Sequence, residues 1–62
     1  MSEFTTAKGN KCYIEKGMDN DCRWGIVVYN GNNKAVKRKE YRSAWEMDGE
    51  YPSIVQWAMM SL

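Results

Sequence analysis

Apolar and polar residues alternate with period two along Lys11-Cys12-Tyr13-Ile14-Glu15-Lys16, and the turn formers Gly17-Met18-Asp19-Asn20-Asp21 then break the pattern. Trp24-Gly25-Ile26-Val27-Val28-Tyr29 is the one continuous β-branched and aromatic run, and Asn30-Gly31-Asn32-Asn33 follows it with residues that tolerate a positive φ. The pattern predicts a meander of three antiparallel strands, organised around a hairpin over residues 22–42.

A loop centred near Asp19 sets Ile14 opposite Trp24 and Cys12 opposite Ile26. A three-residue turn, Gly31-Asn32-Asn33 with Asn33 left-handed, sets Val28 opposite Val36 and Tyr29 opposite Ala35. Cys12, Ile14, Trp24, Ile26, Val28 and Val36 then share the core face. Tyr13, Arg23, Tyr29, Lys37, Lys39 and Tyr41 share the other. A slip of one residue exchanges the two sets, because side chains alternate strictly across a strand.

Past the sheet, Ser43-Ala44-Trp45-Glu46 fits the capping-box pattern of a helical turn ending near Gly49, and Asp48-Gly49 fits a hairpin turn equally well. Pro52 suits the first turn of a helix, after which Ile54, Val55, Ala58, Met59 and Leu62 recur at helical spacing. Trp57 falls on the flank of that helix, placed to seal the sheet edge or to stand exposed. For residues 1–10 two readings stand, a flexible terminus or a short extra strand over residues 4–8. The expected fold is α+β, a single domain over residues 1–62, with one C-terminal helix packed on one face of a three-stranded sheet.

At 62 residues the chain buries only about 60% of its unfolded surface, so its core is small. Three Trp, four Tyr and five Met offset this by burying large areas per residue. A net charge of +1 excludes indiscriminate coating of nucleic acid, yet the charges are unevenly placed. Lys34, Lys37, Arg38, Lys39 and Arg42 crowd the third strand, while Asp19, Asp21, Glu46, Asp48 and Glu50 flank the hairpin. No signal peptide or long apolar segment is present, and with two cysteines the expected location is the cytoplasm, with Cys12 and Cys22 reduced.

The chain contains no histidine, and neither cysteine has an imidazole to activate it. Two cysteines ten positions apart supply half a zinc site at best. Asp19-Asn20-Asp21 begins like a calcium loop, but Arg23 takes the next ligand position and the glycine and terminal glutamate of such a loop are missing. Glycines occur singly, so no phosphate-cradling loop can be built. The reading is therefore a non-enzymatic binding protein without cofactor, metal or membrane partner.

Tyr13, Arg23, Tyr29, Lys37, Lys39 and Tyr41 are the candidate partner-binding residues. Cations interleaved with rings suit a host protein's surface, or alternatively the phosphates and bases of DNA or RNA. Edge-strand lysines also serve simply to block edge-to-edge aggregation. The pattern W-x-x-V-V-Y-x-G over residues 24–31, then a basic strand and a helix carrying Trp57, resembles the sheet-reading DNA-binding domains of phage integrases and of certain plant transcription factors. That resemblance implies a meander-plus-helix fold and DNA contact through the sheet, and this chain departs from it in carrying Glu15, Glu40 and an acidic stretch over residues 46–50. In size and layout the chain is also similar to small phage-encoded inhibitors that dock on a host enzyme.

Overall fold

The computed structural model describes residues 2–18 and 20–62, with the Ser2 side chain outside the description. Its elements are β1 (Ser2–Thr5), β2 (Lys11–Met18), β3 (Trp24–Tyr29), β4 (Ala35–Tyr41) and α1 (Ala44–Ser61). The strands form one antiparallel sheet in the order β1-β2-β3-β4, and α1 lies across one face of it. The α+β meander with a C-terminal helix is as expected, with one strand more. The added strand is β1, which begins before the range 4–8 read from the sequence and pairs Phe4 with Cys12.

The β1–β2 turn is tied to the end of the helix. Thr6, buried, accepts a hydrogen bond on Oγ1 from the Asn10 amide at 3.2 Å. Ala7 donates its amide to the Met59 carbonyl at 3.0 Å, and the Asn10 side-chain amide donates to the Leu62 carbonyl. No basic residue lies in the last turn of α1, so these donors supply what its carbonyls lack.

Two registers differ from expectation. Ile14 stands opposite Val28, not Trp24, and Lys16 rather than Cys12 stands opposite Ile26. Gly17, at φ +148°, does not break the strand: β2 runs on to Met18, and Cys22 takes the left-handed conformation at φ 60° in the connection that follows. The error is an even number of residues, so Cys12, Ile14, Ile26 and Val28 keep their common face and are all buried there.

On the other side, Asn33 at φ 61° closes the three-residue turn as expected, and the Asn30 side chain accepts from the amides of Asn32 and Lys34 at 2.9 and 3.1 Å. Tyr29 then stands opposite Ala35, but Val28 stands opposite Lys37. Val36 is the extra residue of a β-bulge, 38% exposed, and is not part of the core. Past the bulge, Lys37, Lys39 and Tyr41 pair with Val28, Ile26 and Trp24, which puts them on the helix-covered face.

The helix is one element of 18 residues, not a capping turn followed by a second start at Pro52. Ser43 Oγ accepts from the Glu46 amide at 3.3 Å, and the Glu46 carboxylate accepts from the Arg42 amide at 3.2 Å. Pro52 sits inside, where it cannot donate to the Asp48 carbonyl. Burial of Met47 before it and of Ile54 and Ala58 after it holds both halves on the sheet. Phe4, Trp24, Tyr41, Tyr51, Val55, Trp57 and Leu62 pack around this core, whereas Met59, expected inside, is exposed.

Candidate interaction surface

The face of the sheet opposite α1 is covered by no described element. Cross-strand neighbours set its rows: Glu3, Tyr13, Tyr29 and Ala35 in one, Glu15, Val27 and Arg38 in the next, Gly17, Gly25 and Glu40 in the last. Tyr13 and Tyr29 stack with ring centroids 4.5 Å apart and planes 8° from parallel. Such a pair fixes two large rings on rigid strands, so presenting them costs little side-chain entropy. Burial, then the charges of Glu15 and Tyr29, pushes the Tyr13 hydroxyl above its ordinary pKa, and the ring stays neutral at physiological pH.

Charge on this face is balanced, with Lys11, Arg23 and Arg38 against Glu3, Glu15 and Glu40. Arg23 approaches Glu40 at 3.6 Å at the loop end of the sheet.

Of the six candidate residues, Tyr13, Tyr29 and Arg23 belong to this open surface. Lys37, Lys39 and Tyr41 do not, because the Val36 bulge rotates them to the helix side. There Lys37 lies over the Trp57 ring at 4.6 Å, and Lys39 donates to Glu50 at 3.0 Å. That hydrogen bond, more than any other influence, raises the Lys39 pKa. Lys16 makes a comparable contact from β2, 3.1 Å from Asp48 and 4.4 Å from the centre of the Tyr51 ring. Burial raises the Tyr41 pKa, and its hydroxyl is enclosed with no hydrogen-bond partner among the described residues.

Sequence reasoning missed Val27 and the paired glycines, although strict alternation from Tyr29 and Tyr13 reaches every one of them. It also missed Trp45, which stands 84% exposed beside a groove lined by Tyr41, Asp48, Gly49 and Glu50. Counting at helical spacing back from Ala58 and Ile54 to Met47 turns Trp45 outward, once the helix is started at Ser43.

Cys12 is buried, where loss of solvation raises its thiol pKa, and Cys22 is exposed. Six strand residues separate Cys12 from the Met18 end of β2, about 20 Å at the rise of a strand, so a bridge to the Cys22 loop is out of reach. Among the described residues no group of His, Cys, Asp and Glu could hold a metal ion, and no helix is long and apolar enough to cross a membrane. No protein-family model, curated protein or solved structure matches the chain.

Proposed function

We propose that this chain is a small non-enzymatic binding protein that docks on another protein through the uncovered face of its sheet. The observation that carries this reading is the Tyr13–Tyr29 stack, two rigid rings held in the open on a face whose charges cancel. Protein interfaces draw their affinity from aromatic anchors surrounded by polar groups of both signs. A phosphate-binding surface needs a surplus of cations, and Lys16, Lys37 and Lys39 are turned to the helix instead. In this reading the partner is a host protein and the chain an inhibitor of phage or mobile-element type. An exposed thiol at Cys22 is compatible with work in the reducing cytoplasm.

The test is capture of partners from lysate by the tagged chain, with and without nuclease, followed by mass spectrometry and an affinity measurement on the purified partner. A protein retained after nuclease treatment, and bound at least about tenfold more weakly by the Tyr13→Ala/Tyr29→Ala variant with its melt intact, is the expected result. Retention that nuclease abolishes would make nucleic acid the ligand. Equal affinity of wild type and variant would remove the open face from the interface.

A further inference from the structure

Gly17 and Gly25 are direct cross-strand neighbours, so the open face has a place where two adjacent strands present backbone alone. Both positions are held bare. Gly17 sits at φ +148°, which side chains rarely adopt, and a Cβ on Gly25 would lie 3.1 Å from the Lys39 carbonyl oxygen. The result is a half-open depression of about 180 Å³, whose lining includes Val27, Glu15, Arg23, Arg38 and Glu40 beside the two glycines. An aromatic ring from a neighbouring position can shield a glycine in a sheet. Here the neighbouring side chains on the face are Glu15, Val27 and Glu40, none of them aromatic.

We infer that the Gly17–Gly25 depression is an anchor pocket for one aromatic side chain of the protein partner, an indole fitting it best. Size supports this, since a cavity of about 150 Å³ admits benzene and the depression exceeds that by a margin suited to a larger ring. Two bare peptide backbones suit a flat group, and Val27 supplies an apolar part of the lining. Carboxylates of Glu15 and Glu40 in the lining can accept the indole N–H, while the guanidinium groups of Arg23 and Arg38 suit the face of a π system. The inference rests on the protein-binding reading above and names the subsite beside the Tyr13–Tyr29 stack where the partner's ring enters.

The test uses the full chain labelled with nitrogen-15 and N-acetyl-tryptophanamide as probe, with N-acetyl-leucinamide as the aliphatic comparison. Saturable shifts at the amides of Gly17, Gly25 and Val27, in roughly the millimolar range for one isolated ring, and weaker for the leucine probe, are expected. Val27→Trp, whose ring covers Gly25 from within the chain, should remove them. Glu15→Trp covers Gly17 from the other strand and serves if the first variant melts early. Unmoved glycine amides, or shifts confined to the groove beside Trp45, would overturn the inference. So would shifts at these amides that grow with protein concentration alone, which would give the pocket to Trp45 of a second copy. If lysate capture fails while the probe still binds, the pocket stands and the proposed function falls. If capture succeeds and the probe leaves the glycines unmoved, the reverse holds.

Discussion

Lys37 holds its ammonium 4.6 Å from the centre of the Trp57 ring, fastening β4 to the flank of the helix. Removing the charge while keeping the stem, as Lys37→Met does, should cost about 0.5–1 kcal/mol, the range of a partly exposed cation–π contact. Denaturant midpoints of the wild type, Lys37→Met, Trp57→Leu and the double variant give the coupling directly. A coupling of zero would mean that the ammonium only happens to lie there.

The bulge at Val36 makes an unusual pair of predictions. Val36→Ala should change stability by no more than about 0.5 kcal/mol, because the side chain is 38% exposed. Deleting Val36 should likewise leave a folded chain. Lys37 then follows Ala35 directly and takes the place opposite Val28 in a regular ladder, so Lys37, Lys39 and Tyr41 keep the helix side and Tyr41 stays packed against the core. Circular dichroism of the two variants checks both outcomes, and an unfolded deletion variant would contradict the assignment of Val36 as the extra residue.

These residues also show how much of the fold was legible. Strand identity and the faces of β2 and β3 follow from periodicity, and an even register error leaves them intact, as with Ile14. The Asn30–Lys34 turn follows from side-chain chemistry alone. The bulge does not, since nothing local to Val36 marks it; it is settled by tertiary gain, as Tyr41 reaches the core and Lys39 reaches Glu50. The same holds for the helix. Gly49 and Pro52 argue locally for an interruption, and burial of Met47, Ile54 and Ala58 along one side outweighs them. Half of the candidate site was misplaced for this one reason, while Tyr13 and Tyr29 lie before the bulge and were placed correctly.

Burial ranks three substitutions. Ile26→Ala should cost about 2–5 kcal/mol, enough to unfold so small a domain, because a fully buried side chain leaves a cavity. Trp24→Ala should cost less than the loss of a fully enclosed Trp, since that ring is half-buried at the edge of the core. Trp45→Ala should be nearly silent, the ring being 84% exposed. Thermal melts test the order, and a large loss with Trp45→Ala would show that the helix N-terminus relies on it.

Stability should fall on the alkaline side. Tyr13 and Tyr41 are raised above an ordinary value of 10.0, chiefly by burial, and Lys39 above 10.5, chiefly by its hydrogen bond to Glu50. In each case the folded state holds its proton more tightly than the unfolded chain. The contribution is thus complete below the ordinary value and is lost as pH rises through the raised one. The melting temperature should therefore decline from about pH 10 upward. Tyr13→Phe, which removes one of the three groups, should decline less steeply; an identical slope would mean that Tyr13 ionises equally well in the folded chain.

Binding to nucleic acid, measured by fluorescence anisotropy with labelled single-stranded and duplex oligonucleotides across a salt series, should be micromolar or weaker at physiological salt. On the open face Lys11, Arg23 and Arg38 are opposed by Glu3, Glu15 and Glu40, and Arg23 already approaches Glu40 at 3.6 Å. Each phosphate neutralised releases counterions and adds close to one unit to the slope of log affinity against log salt. At most three cations can act from this face, so the slope should not exceed about 3 in magnitude. Breaking the internal contacts of Lys16, Lys37 and Lys39 to recruit them would set the loss of helix docking against the binding energy, leaving the affinity low and the rise in melting temperature on binding small. Tight binding with a steep slope, abolished by Arg23→Gln/Arg38→Gln and accompanied by a raised melting temperature, would replace the protein-binding reading with a nucleic-acid one.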